Sequence, residues 1–238
     1  MMQLPFEQFP ALSALAICRH VFTQRILGVD VSHDKAEVLK RLDAAHREIR
    51  SAVGVGDWPL VTAQQIHGNK IAVVDEVGSA RRADRGRRGA ASIPGREFPG
   101  CDGIITNQRG VALGIYVADC CATYIVDPKT PAIGLVHSGR TGTELGVVTN
   151  AIKEMIDRFH SDPANMIVQL SPCIRPPHYE VDFAAEIVRQ CRALGVKEIH
   201  DSGACTACHL DRYYSYRAEK GKTGRMLALT GLNPTISN

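Results

Sequence analysis

VALGIYVADCCATYIVDPKTPAIGLV, residues 111–136, holds three apolar runs, Val111–Val117, Ala122–Asp127 and Ala132–Val136, broken by Asp127-Pro128 and its neighbours. Short runs of this kind, bounded by turn residues, read as strands buried in the middle of a sheet. On the C-terminal side, Leu145, Val148, Ile152, Met155, Ile156 and Phe159 fall on one stripe. That stripe predicts a helix from Thr143 to about His160, packed on the sheet. Met166–Leu170 reads as a further strand, Asp182–Leu194 as a helix, and the tyrosine-rich stretch His209–Lys220 as another helix. On the N-terminal side, Val38, Leu39, Leu42, Ala45 and Ile49 predict a helix over residues 35–50, with Asp34 as its N-cap. Two β-prone runs, Pro59–Ile66 and Lys70–Asp75, flank Gly68, whose freedom suits a tight turn; this places His67 at a hairpin bend. The arginine- and glycine-rich segment from about 79 to 100 has no periodicity and reads as an exposed, mobile loop. Together these elements predict an α+β fold in a single domain over residues 1–238, with no internal repeat.

Composition excludes several classes of function. Hydrophobic residues make up 45% and charged residues 22% of the chain, ordinary globular usage that rules out a disordered or collagenous protein. The net charge of +3 owes much to six arginines between Arg81 and Arg96, a local patch rather than a nucleic-acid-binding surface. No apolar run approaches the roughly 20 residues that span a bilayer, and the opening MMQLPFEQFPALSALAICRH lacks the basic start of a secretion signal. The expectation is a cytoplasmic protein with no membrane partner and with its eight cysteines mostly reduced. Cys205-Thr206-Ala207-Cys208-His209 spells the C-x-x-C-H of haem attachment, but without an export signal or a well-placed methionine it reads as a pair of reduced structural thiols.

Soft metal ions favour thiolate and imidazole, and a catalytic zinc site uses three protein ligands with a fourth position open. His67, Cys120 and His137 supply such a set, each at the end of a β run. One strand, a turn and a second strand separate Cys120 from His137, enough to bring them side by side. Cys121 competes with Cys120, because neighbouring residues on a strand face opposite ways and only one can look into the site. The run His137-Ser138-Gly139-Arg140-Thr141-Gly142-Thr143 joins a strand to a helix, and its glycines and the helix amides suit an anion such as phosphate.

The sequence resembles the YfiH-type family of purine nucleoside phosphorylases, also labelled laccase-domain or polyphenol-oxidase proteins and peptidoglycan editing factors. The matching pieces run in order: HVFTQR at His20–Arg25, QQIHG at Gln64–Gly68, CDGIITNQ at Cys101–Gln108, ADC at Ala118–Cys120, HSG at His137–Gly139, SPCI at Ser171–Ile174 with Tyr179–Val181, and YSYR at Tyr214–Arg217 before Thr223–Arg225. The resemblance implies a sandwich of mixed β-sheets with helices outside. It also implies zinc, with copper the weaker choice, bound by His67, Cys120 and His137, which selects Cys120 over Cys121. The activity it implies is phosphorolysis of adenosine, inosine or guanosine, with adenosine deamination and methylthioadenosine phosphorolysis as related reactions. The partners would be nucleoside and phosphate, with Arg25, Arg140 and Arg217 as phosphate contacts and Asp119 or Asp102 as a proton relay, Asp119 equally as a carboxylate that orients a ligand histidine. Copper-dependent phenol oxidation and peptidoglycan editing are the rival readings; the absence of any H-x-H pair speaks against the first. Three departures stand out: Arg140-Thr141 replaces the family's Trp-Arg, Ala122 its proline, and Ser171 its glycine.

Overall fold

The computed structural model describes residues 4–74 and 96–234. Along the chain lie β1 (Phe6–Glu7), α1 (Pro10–Ser13), β2 (Cys18–Thr23), α2 (Lys35–Ala52), β3 (Leu60–Ala63), β4 (Ile71–Val73), β5 (Arg96–Phe98) and β6 (Gly103–Thr106). There follow β7 (Ala112–Val117), β8 (Cys121–Asp127), β9 (Ala132–Ser138), α3 (Arg140–Glu144), α4 (Val147–Phe159), β10 (Ile167–Leu170), α5 (Phe183–Ala193), β11 (Glu198–Asp201) and β12 (Met226–Leu232). They form two mixed six-stranded sheets, ordered β1-β2-β12-β7-β3-β5 and β11-β10-β8-β9-β6-β4.

Alternation along each strand makes a layered α+β sandwich of these sheets. Leu113, Ile115 and Val117 of β7 and Ala228 of β12 turn inward to meet Tyr124, Val126, Ile133 and Leu135 of the other sheet. The intervening residues of the second sheet, Ile125, Val136 and Val168, face outward and are covered by Val148, Ile152 and Met155 of α4 and Ile187 of α5. On the far side, Ile49 of α2, with Val53 and Val55, covers Val21, Ala112, Leu227 and Leu229. Each of these aliphatic side chains, fully withdrawn from water, contributes about 1.5–3 kcal/mol of transfer free energy. The strand triplet 111–136 thus supplies both sheets at once: β7 one, β8 and β9 the other.

Three expectations fail, the first for a non-local reason and the other two for local ones. The runs around His67 form no hairpin, because β3 pairs in parallel with β7 and β5 in one sheet whereas β4 pairs in parallel with β6 in the other. His67 therefore lies on a crossover between sheets. The helix foreseen from Thr143 to His160 is two helices, broken at Gly146, whose φ of +73° favours glycine. Leu145 consequently leaves the apolar stripe and is 52% exposed. The stretch His209–Lys220 is a series of turns. There the Asp119 carboxylate accepts from the Arg217 amide and Glu219 accepts from that of Ser215, so side chains replace the helical ladder. Tyr213 and Tyr214, both buried, anchor the segment through Glu7 and the Ile26 backbone. Within the segment from 79 to 100, β5 extends the first sheet, and residues 75–95 lie outside the described residues.

Ala122 and Ser171, far apart in sequence, meet in the fold. The buried amide of Ala122, absent from a proline, donates to the hydroxyl of Ser171, absent from a glycine, at 2.9 Å.

Candidate metal centre and its cleft

The donor atoms of His67, Cys120 and His137 all lie within 4.8 Å of one another. The two imidazoles stand edge to face, with ring centroids 4.9 Å apart. Two buried aspartates hold this arrangement. Asp102, fully buried, accepts through Oδ1 from the His67 amide at 2.8 Å and meets His137 Nδ1 at 2.9 Å; through Oδ2 it accepts from the amides of Gly68 at 2.7 Å and Ile66 at 3.2 Å. Such a carboxylate sustains the crossover, where Gln65 and His67 both adopt left-handed φ values of 64° and 62°, a strained state for residues with a Cβ. With Nδ1 committed to Asp102, His137 turns Nε2 toward the other two donors. Burial opposes the charge on Asp102, but the His137 bond and the Gly68 and His67 amides prevail and hold its carboxyl below the ordinary range. Burial likewise depresses His137, against the pull of Asp102, favouring the neutral imidazole a metal needs.

Asp119 carries out the same task for Cys120. It too has positive φ, 83°, and its carboxylate accepts from the Thr206 hydroxyl at 2.7 Å and the Arg217 amide at 2.6 Å, while its carbonyl accepts from Ile174 N. Cys120 thus projects from the turn that precedes β8. Gly139 makes room for it: a Cβ there would lie 2.7 Å from the Cys120 sulfur. Cys121 points the other way, into the core beneath α4 and α5, beside the Ser171 carbonyl and Thr123. Burial, followed by the charge of Asp119, pushes the Cys120 thiol up to about 12, so a thiolate here calls for a cation beside it. Two imidazoles and one such thiol, rigidly held and open to a cleft, fit a zinc ion with its fourth position free. Among the described residues this is the single cluster of three such ligands.

The trio opens into a cleft of about 970 Å³, within the size range of small-molecule sites. Asp119, Arg140 and Arg217 line it as well; Arg25 does not. Arg25 is instead a strut, bonded to the Tyr213 carbonyl, paired with Glu219 at 2.9 Å and stacked over Tyr214. Arg140 stands at the rim, paired with Glu144 at 2.9 Å and approaching Glu180 at 3.6 Å; Arg217 pairs with the same Glu180 at 2.8 Å and lies over the Tyr179 ring. Lys35, Arg225, Tyr116, Tyr179 and Tyr216 also line the cleft. Sequence reading assigned these no role, although Tyr179, Tyr216 and Arg225 fall within the quoted motifs. Lys35 carried no signal, since a lysine opening an amphipathic helix reads as solvated surface.

Comparison with known proteins identifies the family. The model of the family described as multi-copper polyphenol oxidoreductase laccase matches residues 16–189 and 181–233. A protein named purine nucleoside phosphorylase YlmD, from Geobacillus stearothermophilus, is 28% identical over 88% of this chain and 84% of its own length. A Corynebacterium glutamicum protein, also named a purine nucleoside phosphorylase, is 27% identical over 90% of this chain and 94% of its own. In fold, the crystal structure of Geobacillus stearothermophilus YlmD superposes with a TM-score of 0.75 at 24% identity, covering 98% of this chain and all of that one. That of a Bacillus licheniformis protein, YfiH, gives 0.72 at 20% identity, covering 91% and 93%. With the matched segments running from residue 16 to residue 233, the chain belongs to the laccase-domain family of YfiH and YlmD.

Proposed function

We propose that this chain is a purine nucleoside phosphorylase that holds one zinc ion through His67, Cys120 and His137 and splits adenosine, inosine or guanosine with phosphate. One observation carries the reading: the His-Cys-His cluster opens into the same cleft as tyrosine faces and cations that form no ion pair among the described residues. The relatives named as purine nucleoside phosphorylases support it. In phosphorolysis a phosphate oxygen attacks the ribose C1′, the C1′–N bond breaks, and the purine leaves with the electron pair and takes up a proton. Tyr179 and Tyr216 offer flat faces to the base, and the lining cations gather phosphate and offset its charge. Bound zinc would supply Lewis acidity at its open position. Methylthioadenosine phosphorolysis is the same reaction on another 5′ substituent.

Adenosine deamination is less well supported, because it needs a carboxylate free to relay protons. Asp102 spends both oxygens on His137 and three amides, and Asp119 spends both on Thr206 and Arg217. Both act by positioning. A multicopper oxidase needs several metal centres, whereas the described residues hold one three-ligand cluster. No helix among the described residues is long and apolar enough to cross a membrane, and a reducing cytoplasm suits eight free thiols.

Product analysis of the purified protein with each nucleoside, with and without phosphate, tests the proposal. Free base and ribose 1-phosphate should form only with phosphate, and His67→Ala or Cys120→Ala should abolish them. Phenol turnover with stoichiometric copper, inosine from adenosine as sole product, or activity on peptidoglycan fragments alone would overturn it.

A further inference from the structure

The cleft carries its positive charge in two unlike groups. At the rim, Arg140 and Arg217 share Glu180, and Arg140 has Glu144 as well, so their charge is largely offset within the protein. Lys220, in the same turn as Arg217, is exposed and among the described residues forms no ion pair. Lys35 and Arg225 differ from the rim arginines: both line the cleft with the His-Cys-His trio, and among the described residues neither forms an ion pair. Arg225 is half-buried and rigid. Its Nη1 donates to the carbonyls of Thr223 at 3.0 Å and Gly224 at 2.8 Å, and its guanidinium lies 5.7 Å from the Tyr216 ring centroid. The backbone that carries it packs closely: a Cβ on Gly224 would meet the Tyr214 ring at 2.3 Å. Its other donors, Nε and Nη2, have no protein acceptor among the described residues. Loss of hydration, then the charge of Arg225, hold the Lys35 ammonium below the ordinary lysine range, against the pull of Glu97 and Asp102.

Two cations that line one cleft, neither of them in an ion pair, favour an anion between them. A purine nucleoside is neutral, and phosphate is the one anionic reactant in phosphorolysis. We infer that Arg225 and Lys35 form the orthophosphate seat of this cleft, beside the metal trio, and that the rim arginines do not. Arg225 is preset to present its free donors in a fork, and Lys35, on the first turn of α2, adds a mobile point charge. The assignment rests on phosphorolysis as the reaction, and it removes Arg25, Arg140 and Arg217 as primary phosphate contacts.

The test is calorimetric titration of zinc-loaded protein with inorganic phosphate, beside steady-state kinetics varying phosphate and inosine separately. Arg225→Gln and Lys35→Ala should each weaken phosphate binding about tenfold or more and raise the KM for phosphate in parallel, with the KM for inosine changed less than about threefold. Arg225→Lys, which keeps charge but loses the fork, should fall between. Arg140→Ala should shift phosphate affinity less than Lys35→Ala does. Should Arg225→Gln fail to fold, the exposed Lys35 still decides the matter. Phosphate binding that Lys35→Ala and Arg225→Lys leave within twofold of the parent would overturn the inference while phosphorolysis stands. Phosphate binding weakened as stated, in a protein that does not split inosine, would uphold the seat and sink the phosphorylase reading. A parent protein that binds no phosphate would overturn the seat.

Discussion

Replacing Asp102 by asparagine keeps size and shape while removing the charge on which both ligand histidines depend. Four donors converge on the carboxylate, two on each oxygen: His67 N and His137 Nδ1 on Oδ1, Gly68 N and Ile66 N on Oδ2. Asparagine offers one oxygen and one NH2, so in either orientation two donors face a donor. Each buried donor left without an acceptor costs about 1–3 kcal/mol, which predicts a loss of about 2–6 kcal/mol in folding stability. The damage should reach the metal as well. With the amide oxygen toward His137, the crossover bearing His67 loosens; with the NH2 toward His137, the imidazole is pushed to the wrong tautomer. Loss of such an orienting carboxylate typically weakens metal affinity about 10–100-fold. Guanidinium unfolding of the metal-free protein measures the first effect, and zinc competition against a chromophoric chelator the second. An Asp102→Asn protein with the parent's unfolding midpoint and a zinc affinity within twofold would refute the reasoning.

Other substitutions probe the surrounding geometry. Gly139→Ala puts a Cβ 2.7 Å from the Cys120 sulfur, and should cut zinc affinity at least about tenfold while leaving the far-ultraviolet spectrum unchanged; parent-like zinc binding would contradict the packing described. Ser171→Gly leaves the buried Ala122 amide without its acceptor and should destabilise by about 1–3 kcal/mol; Ser171→Gly with Ala122→Pro should recover most of that loss, and additive effects in the denaturation cycle would show that the pair is not coupled. His20 and His46 are buried and burial depresses both to about 4, so the unfolded chain, titrating near 6.5, binds their protons first. Stability should therefore fall as pH drops from about 6.5 toward 4, by at most about 3 kcal/mol for each histidine. His46→Leu, which also removes a buried nitrogen without a partner, should flatten that fall between pH 7 and 4.5, and an unchanged slope would exclude His46 as a contributor.

The triplet β7, β8 and β9 was legible because its apolar runs are unbroken and its turns carry proline and aspartate. The caps of α2 and α5 were also local signals: Asp34 accepts from Glu37 N and Asp182 from Ala185 N, three residues on in each case. What escaped was non-local. Nothing near His67 tells β3 and β4 that their partners lie in different sheets, since those partners, β7 and β6, come 30 or more residues later. β12 fills the middle of the first sheet, yet its glycine at position 231 dilutes the strand pattern; that glycine is required because a Cβ would strike Trp58 and the Val111 carbonyl. The break at Gly146 was hidden because one glycine does not erase a helical stripe. The candidate trio, whose donors the fold brings together, was named from residue type and placement together with the resemblance, whereas the pairing of Arg25, Arg140 and Arg217 with carboxylates, and the lack of ion pairs at Lys35 and Arg225 among the described residues, exist only in three dimensions.

Chelator-stripped protein titrated with zinc, with phosphate-dependent release of hypoxanthine from inosine followed at each addition, tests the central claim most directly. Activity should rise in proportion to zinc and level off at one ion per chain, and Cys120→Ala should stay inactive throughout. Full phosphorolysis without metal, or activity that returns only with copper and only toward phenols, would contradict it.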